Sequence, residues 1–181
     1  METFALSFLF VVYFVIDYFM TDHDSPADKD RKSFQEGLTL LQSKAFNQSF
    51  EYFNKAVQEY PKSAIAYLYR GKSNLGRGNI YSALYDLEQS CAIDNTLAEC
   101  YYLKGLALFE LEDFEKSFLE FDKAVWHYRA QDAEAMRWRA MTRYRLGQIE
   151  QATKDLETAI KLGDEKAPYL LLKLKSRLSK A

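Results

Sequence analysis

The chain has only two cysteines, two histidines, three prolines and seven glycines in 181 residues, and each shortage closes off a class of protein. Cys91 and Cys100 are too few for a disulfide scaffold and stand in no zinc-ligand spacing with histidine, so they are expected to be buried free thiols. His23 and His127 are the only imidazoles, which removes most routes to a histidine-based catalytic centre or a metal site; no cofactor is implied either. Little Gly and Pro, with 48% hydrophobic and 28% charged residues, excludes a disordered or collagen-like chain. The net charge of −2 lacks the basic footprint that nucleic-acid affinity needs, so no nucleic-acid partner is expected.

Basic residues are missing from one region altogether. Residues 1–28 carry five acids (Glu2, Asp17, Asp22, Asp24, Asp28) and no Lys or Arg, which leaves 24 basic against 21 acidic residues in the remainder. Residues 3–16 are uncharged, and the apolar character resumes at Tyr18, Phe19 and Met20 after Asp17. A spanning helix needs about 18 or more apolar residues. Residues 3–20 meet that length as a short membrane anchor with one acid near its end. Lys29, Arg31 and Lys32, all C-terminal to it, would hold the rest of the chain in the cytoplasm. Two alternatives stay open: an apolar helix packed on the protein or on a second copy, giving a homo-oligomer, and a cleaved export signal, which Glu2 and the lack of a small-residue cleavage site disfavour. Residues 21–29, with Pro26 among Asp and Ser, have the composition of a linker, after which Asp30 or Ser33 would cap a helix.

What the rest does have is a period. Gly37, Gly71 and Gly105 are 34 residues apart. In each copy a small residue follows (Ser49, Ala83, Ser117), then a large apolar one (Phe53, Leu87, Phe121), then another small one (Ala56, Ser90, Ala124). A fourth copy follows after a one-residue slip, with Ala140, Ala152, Leu156 and Ala159 in those places. The apolar and small positions recur at i, i+4, i+7, so each copy is two amphipathic helices, and no alternating strand pattern competes. Residues 44–47, 78–80, 112–114 and 147–149 are short connectors, with Gly78 and Gly147 suited to left-handed helix caps. One pair cannot bury its apolar faces alone, so the pairs must stack.

These positions resemble the tetratricopeptide repeat family over residues 30–166. Tyr67, Gly71 and Asn74, and Tyr101, Gly105 and Leu108, fill the first-helix motif, and the small–large–small triplets fill the second. Asn74 and Arg143 are polar where the family has an apolar residue, and Ser33 stands where it has a bulky one. The resemblance implies an all-α, right-handed solenoid of antiparallel helix pairs with repeats at 30–63, 64–97, 98–132 and 133–166. The hydrophobic helix at residues 1–20 would precede it, and a capping helix at 167–181, with Pro168 near its start, would close it.

The resemblance also implies a concave face lined by the first helices, taking a protein or peptide partner. Projected there are Phe34, Leu38 and Leu41 from copy one, and Leu68, Lys72 and Leu75 from copy two. Copy three adds Glu99, Tyr102, Leu106 and Phe109; copy four adds Arg137, Met141, Tyr144 and Arg145. Aromatic, Met and Arg side chains are those enriched in interfaces, so an apolar peptide with an acidic group is the expected ligand. A face that is core, or covered by the N-terminal helix, is the alternative. Chaperone-binding members hold carboxylates with Lys, Asn and Arg; here the matching places are Phe34, Leu38, Tyr69, Glu99 and Leu103, or one copy on, Leu68, Lys72, Leu103, Glu134 and Trp138. Neither set is that clamp. Arg137, Arg139, Arg143 and Arg145 form two helical faces, expected to be solvated and paired with Glu134 or a neighbouring repeat. Residues 66–73 match a relaxed phosphate-loop pattern, but lie inside a helix whose amides are already bonded. The expectation is a non-catalytic scaffold tethered to a membrane.

Overall fold

The computed structural model describes residues 10–14 and 24–178, all-α throughout. Residues 10–14 are helical, with Phe10, Val11, Tyr13 and Phe14 exposed; the rest of the expected anchor lies outside the described residues. No helix among the described residues is long and apolar enough to cross a membrane.

The first helix, α1 (Pro26–Ser33), starts inside the stretch expected to be a linker, and its cap is neither Asp30 nor Ser33. The proline ring fixes the φ that the first helical position needs. Ser25 accepts from the Asp28 amide while the Asp28 carboxylate accepts from the Ser25 amide, a reciprocal capping box. Asp30 is thereby free to accept from the Ser63 hydroxyl at 2.5 Å, tying α1 to the cap of α4. A break at Phe34 separates α1 from α2 (Gln35–Gln42). The Phe34 ring is buried at 5.9–6.4 Å from Tyr52, Phe53 and Tyr60, so it belongs to the core and not to the concave face.

Eight further helices follow: α3 (Phe46–Glu59), α4 (Ala64–Gly76), α5 (Ile80–Ile93), α6 (Ala98–Glu110), α7 (Phe114–His127), α8 (Ala133–Arg145), α9 (Ile149–Lys161) and α10 (Ala167–Leu178). From α2 onward each packs on its successor, α1 packs on α4, and α4, α6 and α8 also touch in turn, which is the contact order of a stacked solenoid. Each first helix ends in the left-handed region at the same register: Lys44 (φ 58°), Gly78 (77°), Glu112 (59°) and Gly147 (75°). Gly105 is required by its neighbour, since a Cβ there would lie 2.7 Å from the Phe121 ring; in copy four, with Leu156 as the filler, alanine fits at 140. Phe53, Leu87, Phe121 and Leu156 are almost wholly buried between the pairs. The Asp164 carboxylate accepts the Lys166 and Ala167 amides at 2.8 Å, starting α10.

Polar groups repeat with the same period. Sixteen residues separate Arg70 from Asp86, Lys104 from Glu120 and Arg139 from Asp155, so each pair joins the two helices of one repeat. In repeats two and four the arginine is bidentate to a buried aspartate, at 2.6 and 3.0 Å and at 2.8 and 2.9 Å. Arg70 also reaches Asn54, and Arg139 reaches Asp122, each on the second helix of the preceding repeat. A second donor meets each aspartate: Asn74 to Asp86 at 3.0 Å and Arg143 to Asp155 at 2.7 Å. The two polar departures from the family pattern are therefore the residues that complete these buried pairs.

The two cysteines are not free thiols. Cys91 near the end of α5 and Cys100 near the start of α6 form a disulfide, because the tight turn between the helices brings their Cα atoms to 6.1 Å.

Candidate partner-binding groove

The inner face of the solenoid is built from α4, α6 and α8, whose residues three and four apart share a side. Of the predicted groove residues, Lys72, Leu75, Tyr102, Leu106, Phe109, Met141 and Tyr144 are half-buried, and Arg145 is exposed. Lys72 Nζ meets Glu99 Oε1 at 2.7 Å, bridging α4 to α6. Tyr102 packs 5.9 Å from Phe121, and burial, then the neighbouring Glu134 carboxylate, push its hydroxyl well above the usual tyrosine range, so it stays protonated. Phe109 lies 5.3 Å from both Phe114 and Trp138, edge-on to each. Arg145 covers the Phe114 ring at 4.1 Å and reaches Glu112 at 3.5 Å, so its cation is shared with an aromatic face at the groove edge.

Two predicted groove residues belong elsewhere. Leu68 is fully buried among the aromatic core of repeats one to three and offers a partner no surface. Arg137 is buried because Asp164 (2.8 Å) and Glu134 (2.7 Å) fold its guanidinium against the chain. Leu41 is likewise core. Arg139 and Arg143, expected on a solvated face, sit between helices on Asp155. Burial pushes the Asp164 carboxyl up, but the Arg137 guanidinium and the Ala167 and Lys166 amides outweigh it and hold the group below the usual carboxylate range.

Sequence reasoning placed Met141 and Tyr144 in the groove but missed the wall that α10 sets opposite them. Met141 and Tyr144 of α8 face Leu170, Lys173 and Leu174 of α10 across a narrow apolar slot of 90 Å³. The leucines of α10 had signalled a cap; that the cap also supplies one wall of a slot needed the packing angle between the helices.

The known proteins agree with this architecture. The tetratricopeptide repeat model matches residues 98–125. The chain is 27% identical to DnaJ homolog subfamily C member 7 of Homo sapiens over 55% of its own length, and spans 22% of that relative. A structure titled as the functional characterization of Pseudomonas aeruginosa pilF superposes with a TM-score of 0.76 at 18% identity, covering 86% of this chain and 72% of that one. The first such repeat domain of Spaghetti (RPAP3), bound to the HSP90 peptide SRMEEVD, superposes with a TM-score of 0.61 at 22% identity, over 64% of this chain and 93% of that one.

Proposed function

We propose, from the premise that the chain is a tetratricopeptide repeat protein and so a protein-interaction module, that its inner face holds an extended or helical peptide by apolar anchors, without chemistry of its own. The observation that carries this is the set of half-buried apolar and aromatic side chains on the first helices, Leu75, Tyr102, Leu106 and Phe109, together with the slot beside Met141 and Tyr144. Partly wet aromatic and Met surface of this kind is where binding free energy concentrates. The complex of the first repeat domain of Spaghetti (RPAP3) with a peptide supports peptide capture by the fold. The chemistry differs, however: a carboxylate-rich peptide would meet Glu99 and Glu134 where that type of ligand needs cations. The full chain is expected to give no saturable binding to SRMEEVD in a calorimetric titration, and tight binding would refute the apolar-anchor reading. Tyr102→Ala with Phe109→Ala is expected to abolish capture of a cross-linked native partner while circular dichroism stays nearly unchanged; retained capture would move the site off this strip.

Tethering by residues 3–20 belongs to the same proposal and rests on hydropathy. One observation favours a particular side of the membrane: disulfides persist in oxidising compartments, and the Cys91–Cys100 bond joins repeats two and three. We place the tethered repeats on the oxidising side, against the cytoplasmic side that Lys29, Arg31 and Lys32 favour. Thiol labelling of intact cells followed by mass measurement is expected to find both cysteines unlabelled until a reductant is added; two labelled cysteines without reductant would return the repeats to the cytoplasm.

A further inference from the structure

The solenoid breaks register once, and an open cleft lies there. Between the end of one repeat and the start of the next, the chain uses four residues after α3 and after α5, but five, residues 128–132, after α7. The extra residue is absorbed by Arg129 and Ala130, consecutive non-glycine residues in the left-handed region (φ 52° and 55°). The turn bulges, and an open cleft of 1130 Å³ forms between the end of α7, the start of α8 and the turn before α6. It shares no lining residue with the groove.

Its floor and wall are aromatic. Tyr101 stacks flat on His127 at 5.0 Å, and Trp126 meets the same imidazole edge-on at 4.7 Å. Trp126 is 74% exposed. The equivalent outward positions of the other repeats hold Gln58, Ala92 and Lys161, side chains that a solvated helix face calls for. Apart from its edge contact with His127 the indole is left mostly to solvent, yet it is a side chain from which interfaces draw most energy. Met136 continues the apolar wall.

Charge sets the complement. The cleft holds Arg129 and Arg139 against Asp122. Arg139 is already committed to Asp122 and Asp155. Arg129 is exposed and has no ion-pair partner among the described residues, so one unneutralised cation stands beside the indole.

We propose that this cleft is a second docking site, for an acidic segment of a partner protein that places an aromatic side chain against Trp126 and a neighbouring carboxylate on Arg129. Together with the inner groove, it lets one module hold two segments at once. The test uses the full chain carrying Trp138→Phe, so that Trp126 is the sole indole, titrated with the amidated peptides EEFDE and KKFKK. EEFDE is expected to give a saturable blue shift of the indole emission, and KKFKK none. Arg129→Glu is expected to weaken EEFDE by about tenfold or more, whereas Tyr102→Ala with Phe109→Ala leaves it unchanged. Arg129 is exposed, so its reversal leaves the fold intact, which circular dichroism checks. No shift with EEFDE, an equal shift with KKFKK, or indifference to Arg129→Glu would overturn the proposal. So would a shift that grows with protein concentration alone, which would assign the cleft to a second copy.

Discussion

Repeats two and four bury an aspartate between their helices, and repeat three puts Glu120 in the same place with a different outcome. Asp86 receives Arg70 and Asn74; Asp155 receives Arg139 and Arg143. Glu120 has Lys104 at 3.4 Å and Lys123 at 3.0 Å, both on one oxygen, and its Oε2 is buried without a hydrogen-bond partner among the described residues. The difference follows from position 108, where repeat three keeps the family's apolar residue, Leu108, and so has no donor there for the second oxygen. A planar guanidinium satisfies both oxygens of a short carboxylate; an ammonium satisfies one. The motif that looks most regular in the sequence thus leaves a buried carboxylate oxygen without a partner, while in the two that look irregular both aspartate oxygens are paired; in repeat four the open group is instead a donor, Arg143 Nε, buried without a partner among the described residues.

This contrast orders the expected effects of substitution. The largest belongs to Asp155→Ala, which removes the carboxylate shared by two half-buried guanidinium groups, leaving Arg143 without an acid and Arg139 with Asp122 alone. Removing one partner of a buried pair costs about 3–5 kcal/mol, read as a fall in the urea midpoint. Asp86→Ala is expected to cost less, because it strands one cation and one neutral amide. Equal losses would show that the second donor is irrelevant to the comparison.

A smaller effect tests the apolar side of the same interfaces. Gly105→Ala forces a Cβ against the Phe121 ring, while Gly71→Ala meets Leu87 at 3.0 Å and the Ala83 carbonyl at 3.3 Å, a fit that needs only a slight shift. Overpacking is expected to cost about 1–3 kcal/mol at 105 and to be nearly offset at 71 by the higher helix propensity of alanine, about 1 kcal/mol. Thermal unfolding of the two variants separates them, and a reversed order would break the assignment of the glycines to their fillers. The smallest effect is expected from Glu120→Gln, within about 1 kcal/mol of the parent by denaturant titration, since the neutral amide removes a half-satisfied buried charge while its oxygen can still accept from Lys104 and Lys123. A loss as large as that at Asp155 would erase the distinction between the repeats.

Much of the fold was legible because it depends on periodic constraints. The spacing of Gly37, Gly71 and Gly105 and of the small residues opposite follows from close backbone approach, and the left-handed helix ends, Gly78 and Gly147 but also Lys44 and Glu112, recur with the same period. The groove was legible only in part. Helical projection puts Leu68 and Arg137 on the same face as Tyr102 and Met141, but the curvature of the stack buries Leu68, and Asp164, 27 residues on, draws in Arg137. Asn74 and Arg143 looked like weak points of the motif because their partners lie 12 residues away on another helix.

By itself the sequence determined that the chain is a stack of four helix pairs with one slip of register, because side-chain volume at close helix crossings leaves few alternatives. Only the tertiary structure decided which polar residues are buried pairs, that the cysteines meet, that α10 closes a slot, and that the slip opens a cleft beside Trp126. Those outcomes depend on which atoms arrive within about 3 Å of one another across helices, and the order of residues along one helix does not carry that distance.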